Sequence, residues 1–217
     1  MDNQAGARQP YRIVTPPSAA TMACKRAFDI LCSFLGLAVL SPVLLVVSVL
    51  VAVTSPGGVF FRQERIGKDG KPFRIFKFRS MRKDNAGLKI TTGNDSRITP
   101  VGRFLRKSKI DELPQLINVL VGDMSFVGPR PEVADYVNLY TPYQRQVLLV
   151  RPGITGLASI RFRNENDLLT ASDDPNRTYV EQIMPRKIDL DLEYIPHASV
   201  LYDIKLIFQT FAVVIKE

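Results

Sequence analysis

The sequence predicts a mainly helical α+β protein that enters a membrane, and three observations lead to this prediction. The 217-residue chain has an almost wholly apolar run over residues 27–53, and a helix needs ~20 such residues to cross a bilayer. Apolar and basic residues alternate over residues 73–79, as they do in a half-buried strand. Residues 200–215 place apolar side chains at helical spacing, which indicates an amphipathic helix on the domain or at a membrane surface.

The composition fits a folded domain and limits its chemistry. Lys and Arg number 29 against 21 Asp and Glu, a net charge of +8, which suits nucleic acid, anionic lipid or phosphorylated small molecules. One histidine, His197, and two cysteines, Cys24 and Cys32, leave few ways to build a Ser-His or Cys-His nucleophile or a His-rich metal site. We therefore expect the chemistry to depend on carboxylates, lysine and arginine.

The chain divides into a tail and one domain. Residues 1–20 are polar and rich in Pro, Gly and Ala, which predicts a disordered N-terminal tail. Residues 21–217 form the domain, which begins with an apolar helix over about residues 25–54. After it we expect a β-hairpin formed by residues 59–61 and 73–79, a loop over 82–100, a helix over 102–120 that Pro114 interrupts, a helix over 142–150 and the amphipathic helix over 200–215.

The apolar run admits two topologies. Ser41-Pro42 lies in its middle, and a proline there removes a backbone hydrogen bond and kinks the helix. The Ser41 hydroxyl can return a hydrogen bond to the backbone that Pro42 frees, which lipid cannot do. Basic residues flank the run on both sides, and the positive-inside rule is satisfied at both flanks if the segment enters and leaves the same membrane face. An ordinary kinked spanning helix accounts for the run equally well.

The densest candidate chemistry is the adjacent carboxylate pair Asp111-Glu112. It follows four basic residues, Arg103, Arg106, Lys107 and Lys109, which we expect to hold both carboxylates ionised and to attract a phosphorylated ligand. An ionised aspartate can attack phosphorus, and a neighbouring glutamate can hold Mg²⁺ together with substrate phosphates. The alternative is that the pair simply caps a helix.

A second candidate is the arginine between two prolines, Pro129-Arg130-Pro131. The prolines restrict the backbone, and arginine is the natural bidentate partner of a phosphate. A structural turn with a solvated arginine explains the same residues. Weaker candidates for phosphate or lipid headgroups are Arg163, Lys77 and Arg79.

Taken together, these segments resemble the bacterial sugar transferase family, also called monotopic phosphoglycosyl transferases. The similarity is to the small form, which has the catalytic domain and little else, and it runs from about Lys25 to the C-terminus. Each matching segment is short, but their order and spacing together make coincidence implausible. The matching segments, by number, are 25–29, 41–42, 77–81, 111–116, 122–125, 128–131 and 151–156.

The resemblance implies a phosphosugar transfer. Asp111 attacks the sugar-linked phosphate of a UDP-sugar, UMP leaves, and the covalent phosphosugar passes to a polyprenol phosphate, with undecaprenyl phosphate as the expected acceptor. Such a step initiates glycoconjugate assembly, for example of lipopolysaccharide or capsule. Glu112 then binds Mg²⁺, Arg130 and Arg163 lie near substrate phosphate, and Arg106 lies near the dyad.

The resemblance also implies a location. The apolar segment is then a re-entrant helix, broken at Ser41-Pro42, that enters and leaves on the cytoplasmic face of the bacterial inner membrane. An enzyme half-submerged in one leaflet brings a soluble nucleotide sugar to the plane of a lipid phosphate, whose charge cannot move far into hydrocarbon. The sequence leaves open whether the chain forms a homo-oligomer.

The chain departs from the family pattern in one place. Residues 159–164 read Ser-Ile-Arg-Phe-Arg-Asn, whereas family members often carry a glycine where Phe162 stands. This difference bears on sugar specificity and, to a lesser degree, on Arg163.

Three other readings compete with this one. A membrane-anchored, non-catalytic protein that binds anionic ligands explains the charge and the apolar run, but not the dyad with its Pro-Arg-Pro companion. A nucleic-acid-binding module is favoured by basic patches but not by the apolar run, so we expect no nucleic-acid partner. A degenerate transferase acting as a scaffold is disfavoured by the intact Asp111-Glu112 pair.

Overall fold

The computed structural model describes residues 13–55, 57–82 and 97–214, and these residues are mostly helical. The helices are α1 (Ala19–Thr54), α2 (Pro100–Lys107), α3 (Gln115–Val121), α4 (Ala134–Val137), α5 (Leu157–Arg161), α6 (Glu165–Thr170), α7 (Pro175–Thr178), α8 (Met184–Tyr194) and α9 (Val200–Val214). The strands are β1 (Phe60–Ile66), β2 (Pro72–Phe78), β3 (Ser125–Val127) and β4 (Gly153–Thr155). Short 3-10 turns cover Lys68–Gly70, Ile110–Glu112, Gln144–Leu149 and Ile195–His197, and a π-helical turn covers Tyr179–Ile183.

Helix α1 is long and apolar enough to cross a membrane. It has 36 residues, and the hydroxyl of Ser18 caps it by accepting from the Thr21 backbone N–H at 3.2 Å. Large apolar side chains such as Phe34 and Val39 point away from the rest of the protein. A helix that is apolar on all sides but not covered by protein is suited to lipid. The buried residues of α1 are Lys25, Asp29, Ser33, Val47 and Val51.

The proline in α1 is compensated by its neighbour. Pro42 has no N–H to donate to the carbonyl of Ala38, four residues earlier, and the Ser41 hydroxyl donates to that carbonyl at 2.8 Å. This is the hydrogen bond that the sequence predicted. The helix continues from Ala19 to Thr54 through this point, so the structure shows a proline accommodated within one helix. The predicted break and the re-entrant path stay predictions.

The predicted β-hairpin is present and longer than expected. Strands β1 and β2 pair antiparallel, from Phe60 opposite Phe78 to Ile66 opposite Pro72. Asp69 and Gly70, with φ of 57° and 74°, turn the chain between them. The hairpin presents Lys77 and, just past its end, Arg79.

Two predicted helices are wrong in detail. The span 102–120 is divided into α2 and α3, because Lys109 adopts a left-handed φ of 56° and a 3-10 turn follows. The span 142–150 forms a 3-10 stretch, which Thr141 and Gln144 begin by each capping the other's backbone N–H, as in a capping box. The predicted loop 82–100 lies mostly outside the described residues; its end is helical, since α2 begins at Pro100. The predicted C-terminal helix is present as α9.

The predicted tail is described only from Ile13 onward. Val14 is buried within the main core, and its N–H donates to Gln146 Oε1 at 2.7 Å. The last residues of the predicted tail therefore pack on the domain, and α1 already begins at Ala19. Residues 1–12 lie outside the described residues.

A short parallel pair, β3 with β4, lies at the centre of the domain. Glycines make the close approach of these segments possible: a Cβ on Gly128 would lie 2.4 Å from the Arg151 carbonyl oxygen, and one on Gly153 would lie 2.1 Å from the Gly128 nitrogen. The main core surrounds this pair, with buried side chains from α8 and α9 such as Ile188 and Leu206.

A buried polar cluster ties α1 to this centre. The Lys25 ammonium donates to Ser125 Oγ at 2.6 Å and to the Val127 carbonyl at 3.0 Å, and it forms an ion pair with Asp203 of α9. Tyr194 donates to the other oxygen of Asp203 at 2.6 Å. We call Lys25, Ser125, Asp203 and Tyr194 the helix lock. Removing either Lys25 or Asp203 would leave the other as an uncompensated buried charge, so we expect this cluster to hold α1 firmly on the domain.

Candidate active site

The dyad lies on the 3-10 turn between α2 and α3. The left-handed backbone of Lys109 precedes it, a conformation that costs a non-glycine residue ~1 kcal/mol or more and that recurs at functional sites. Asp111 is buried, and Glu112 is partly buried. The turn therefore places two consecutive carboxylates in one spot with little access to water.

Two cations from distant parts of the chain meet on Glu112. Its Oε1 accepts from Lys77 Nζ at 2.6 Å and from Arg130 Nη2 at 3.0 Å. Lys77 comes from β2, and Arg130 comes from the loop after β3. The side chains are 18%, 16% and 40% exposed for Lys77, Glu112 and Arg130, so the site is open to a ligand on the arginine side.

The two carboxylates are affected in opposite directions. Burial disfavours ionisation of Glu112, but Arg130 and Lys77 outweigh burial and hold its pKa well below its usual range. Burial, and then the charge of Glu112, raise the pKa of Asp111, although Lys77, Arg106 and Lys109 act the other way. The sequence predicted that basic neighbours would hold both carboxylates ionised. The pKa of Glu112 shifts in that direction, whereas desolvation and the charge of Glu112 shift the pKa of Asp111 the other way.

The pKa values of the two basic residues, Lys77 and Arg130, are also shifted by burial and by the charge of Glu112. Burial lowers the pKa of Lys77, and Glu112 counters only part of that effect. Glu112 raises the pKa of Arg130 above its ordinary value. Arg130 is therefore the firm positive charge of the site.

The backbone around Arg130 is fixed on both sides. Pro129 and Pro131 are buried. The Pro129 carbonyl accepts from the Gly153 N–H at 2.9 Å, and the Pro131 carbonyl accepts from Arg65 Nη1 at 3.2 Å. Arg130 thus projects from a rigid loop, and its guanidinium reaches Glu112.

Arg106 borders the dyad. Its Nε donates to Ser80 Oγ at 2.9 Å, and its Nη2 lies 3.0 Å from the Met81 sulfur. Gly102 allows α2 to approach this strand end, since a Cβ there would lie 2.0 Å from the Ser80 carbonyl oxygen. The charge of Arg106 reaches Asp111 and favours its ionised form.

Two residues predicted to bind substrate, Arg79 and Arg163, make no contact with Asp111 or Glu112 among the described residues. Arg79 donates to the carbonyls of Gly58 and Phe60, at 2.9 and 3.2 Å, and so closes the open end of the hairpin. Arg163 follows α5 and is exposed. A substrate role for either residue stays a prediction.

The donor set around the dyad fits Mg²⁺ only in part. The described residues contain no group of three or more His, Cys, Asp or Glu side chains that could hold a metal ion. Glu112 uses Oε1 for its two cations, and its Oε2 accepts no hydrogen bond from the described residues. Mg²⁺ is usually held by one or two carboxylates together with waters and substrate phosphates. The residues therefore fit a Mg²⁺ that arrives with a diphosphate, and not a site made of protein ligands alone.

The sequence did not indicate a second polar cluster behind the Arg130 loop. It consists of Arg65 from β1, Glu132 from the loop and Tyr179 from the π-helical turn. Glu132 directly follows the Pro-Arg-Pro motif, which was the one signal available. Nothing in the local sequence marks Arg65 or Tyr179, since their contacts join segments far apart in the chain.

Comparison with known proteins gives a consistent result. A family model described as bacterial sugar transferase matches residues 20–217. The chain is 44% identical over 202 residues to a UDP-glucose:undecaprenyl-phosphate glucose-1-phosphate transferase of Escherichia coli K12, which covers 90% of this chain and 41% of that protein. It is 37% identical over 204 residues to a UDP-N-acetylgalactosamine-undecaprenyl-phosphate N-acetylgalactosaminephosphotransferase of Aeromonas hydrophila, covering 92% and 45%.

A shorter relative has nearly the same extent as this chain. The exopolysaccharide production protein PSS of Rhizobium leguminosarum bv. phaseoli is 41% identical over 196 residues, which is 86% of this chain and 92% of that protein. By contrast, the chain spans about two fifths of the length of the E. coli relative.

Proposed function

This chain belongs to the bacterial sugar transferase family, and on that premise we propose that it moves a phosphosugar from a UDP-sugar to a polyprenol phosphate and releases UMP. One observation carries the proposal: a buried carboxylate, Asp111, stands beside a glutamate whose charge is held by Lys77 and Arg130. The printed names of the E. coli and A. hydrophila relatives support the same reaction class, with undecaprenyl phosphate as acceptor.

In the first step, a carboxylate oxygen of Asp111 attacks the phosphorus that bears the sugar. The bond from that phosphorus to the bridging oxygen breaks, and UMP leaves with that oxygen and its electron pair. The product on the protein is an acyl phosphate. The raised pKa of Asp111 makes its carboxylate the more basic of the pair, and a more basic oxygen is the stronger nucleophile once it is ionised.

In the second step, a phosphate oxygen of the polyprenol phosphate attacks the same phosphorus, and the Asp111 carboxylate leaves. Arg130 and Lys77 offer positive charge to the phosphate oxygens as negative charge develops on them. Glu112 would hold the Mg²⁺ that accompanies the diphosphate, and in the first step that ion would stabilise the negative charge on the departing UMP.

The position of α1 supports a membrane location for this chemistry. Both ends of the helix contact the domain, through Lys25 near one end and through Val47 and Val51 near the other. No residue between 34 and 46 is buried. A helix attached at both ends with an exposed apolar middle is compatible with entry and exit at one face, which we propose to be the cytoplasmic face of the inner membrane.

The test is release of UMP. Purified protein would receive undecaprenyl phosphate, Mg²⁺ and a panel of donors that includes UDP-glucose and UDP-N-acetylgalactosamine, with Asp111→Asn as the matched variant. We expect UMP from one donor and a loss of at least ~1,000-fold in the variant, because an amide is a poor nucleophile toward phosphorus. Unchanged UMP release by Asp111→Asn would overturn the covalent route. Binding of UDP-sugars with no UMP from any donor would favour the non-catalytic alternative.

A further inference from the structure

The polar cluster of Arg65, Glu132 and Tyr179 has no part in the reaction proposed above, although it lies directly behind the Arg130 loop. Arg65 is mostly buried, with its side chain 23% exposed, and the side chain of Glu132 is 14% exposed. Charged groups are expensive to bury, so their presence here needs a reason. We call these three residues the loop clamp.

Arg65 holds the loop at Pro131. Its Nη1 donates to the Pro131 carbonyl at 3.2 Å and lies 3.6 Å from Glu132 Oε2. Its Nη2 donates to Gln63 Oε1 at 2.7 Å, which fixes the guanidinium plane. The backbone N–H of Ile66 next to it donates to the Glu132 carbonyl at 2.8 Å. Strand β1 thus contacts Pro131 and Glu132, the two residues that follow Arg130, through both its backbone and a side chain.

Tyr179 holds the loop from the opposite side. Its hydroxyl donates a hydrogen bond to Glu132 Oε1. Its ring packs on Tyr136 at 4.9 Å between centroids, and the Lys187 ammonium lies 5.3 Å from its centroid. Tyr179 is the first residue of the π-helical turn, and such turns occur frequently at functional sites. The carboxylate of Glu132 is therefore held between β1 and the helical segment that leads into α8.

The clamp also has an electrostatic role toward Arg130. Burial, and then the positive charge of Arg130, lower the pKa of Arg65, and the charge of Glu132 acts the other way. Arg130 itself makes one hydrogen bond to the described residues, to Glu112. Apart from that bond, the placement of its guanidinium depends on the loop backbone.

We propose that Arg65, Glu132 and Tyr179 are positioning residues that aim Arg130 at the diphosphate of the substrate. The proposal rests on the function proposed above. The cluster does not touch the reacting atoms. Its effect passes through the placement of one guanidinium, whose planar fork demands a defined direction, and small misplacements of such groups cost much of the rate.

The experiment measures UDP affinity by calorimetry in the full chain, with Mg²⁺ present. Tyr179→Phe removes one hydroxyl, and Tyr194→Phe is its matched control, because Tyr194 is also a buried tyrosine that donates to a carboxylate, in the helix lock. We expect Tyr179→Phe to weaken UDP binding about tenfold, the scale of one charge-assisted hydrogen bond. We expect Tyr194→Phe to lower thermal stability with UDP affinity changed less than about twofold, since its hydroxyl contacts Asp203 and the Val127 carbonyl and none of residues 129–132.

The decisive arm repeats both changes in an Arg130→Lys background. The lysine ammonium is a flexible point charge that binds phosphate without the defined orientation that a planar guanidinium requires. The effect of Tyr179→Phe on UDP affinity should therefore fall to less than about twofold in this background. An equal loss in both backgrounds, or equal effects of Tyr179→Phe and Tyr194→Phe, would overturn the proposal. These affinities are read without turnover. A protein that releases no UMP would therefore refute the proposed reaction, while the dependence on Arg130 would still decide the role of the clamp.

Discussion

Asp111 and Glu112 are neighbours in the chain, yet their surroundings separate their behaviour. Glu112 receives two cations on one oxygen, which holds its pKa low. Asp111 is buried beside that charge, its pKa is raised, and no ion pair among the described residues occupies it. Environments that push the pKa values of two carboxylates apart assign them different tasks. Glu112 keeps its charge and binds cations, and Asp111 keeps its basicity.

This difference predicts opposite effects of two isosteric changes on stability. Glu112→Gln leaves Lys77 and Arg130 without their counter-charge, and we expect it to lower the free energy of unfolding by about 2 kcal/mol, because the pair is only partly buried. Asp111→Asn removes a charge that burial disfavours, so we expect unchanged or higher stability together with lost turnover. Thermal unfolding in detergent at neutral pH measures both.

The pH dependence of stability provides a control for the comparison of Glu112→Gln with Asp111→Asn. A depressed folded-state pKa contributes stability above the unfolded value, about 4.3 for Glu, and the contribution is lost as pH falls below it. The difference in free energy of unfolding between the unmodified chain and Glu112→Gln should therefore become smaller in acid. For Asp111, whose pKa is raised, the ionised form opposes folding and protonation relieves the cost. A Glu112→Gln chain as stable as the unmodified one at neutral pH would contradict this account of the site.

Part of this site could be predicted from the sequence. The dyad and the arginine between two prolines stand out by local pattern, and the structure joins Arg130 to Glu112. Lys77 and Arg79 could not be separated, because an alternating strand places both on the same face. Strand β2 ends at Phe78, so Lys77 reaches Glu112 while Arg79 turns back to the carbonyl of Phe60. Where a strand ends is set by its partner, which local sequence does not specify.

At the scale of elements, the segment that carries the dyad was misread as one helix. Apolar residues keep helical spacing across 102–120. However, Lys109 adopts a left-handed conformation, which is uncommon for lysine and cannot be predicted from its residue type. The turn that results directs Glu112 to Lys77 and Arg130. The loop clamp was missed for a related reason: Tyr179 sits on a π-helical turn, and no periodic pattern predicts which residue such a turn presents.

Helix α1 gives the opposite case, in which a local pattern predicted a specific hydrogen bond. Ser41→Ala would leave the Ala38 carbonyl with no donor, since Pro42 cannot supply one. In apolar surroundings, an unpaired carbonyl costs about 1–3 kcal/mol. We expect lower thermal stability in detergent and a larger loss in lipid, where water is scarcer.

The matched control is Ser48→Ala. Its hydroxyl donates to the Leu44 carbonyl at 2.7 Å, but the helix already provides that carbonyl with a backbone N–H four residues on. Removing the hydroxyl should therefore change stability little. Equal effects of the two substitutions would show that the Ser41 hydroxyl does not compensate for the proline.

At the scale of the whole molecule, α1 is joined to the domain at two separate places. The helix lock holds Lys25 against β3 and α9. Val47 and Val51 pack with Phe78 and Leu105. The second place adjoins β2, the strand that carries Lys77, and α2, the helix that carries Arg106. The elements that hold the second half of α1 are thus the same elements that position the residues around the dyad.

This architecture predicts that both ends of α1 lie on one side of the membrane. One variant keeps the exposed Cys24 and carries Cys32→Ser. A second carries Cys24→Ser and Cys32→Ser and has a single new thiol from Thr54→Cys, at an exposed position where the helix ends. A membrane-impermeant maleimide would be applied to sealed inverted vesicles and to intact spheroplasts. We expect both thiols to react in inverted vesicles and neither to react in spheroplasts.

The expectation follows from charge and packing together. Lys25 and Arg26 precede the apolar segment, and a run of basic residues follows it, so a single crossing would place one basic flank outside against the positive-inside rule. It would also separate the helix lock from the Val47–Val51 contact by a bilayer of ~30 Å, although both belong to one folded domain. Labelling after detergent shows that each thiol is reactive. Reaction of the two thiols from opposite faces would establish a spanning helix and rule out the re-entrant path.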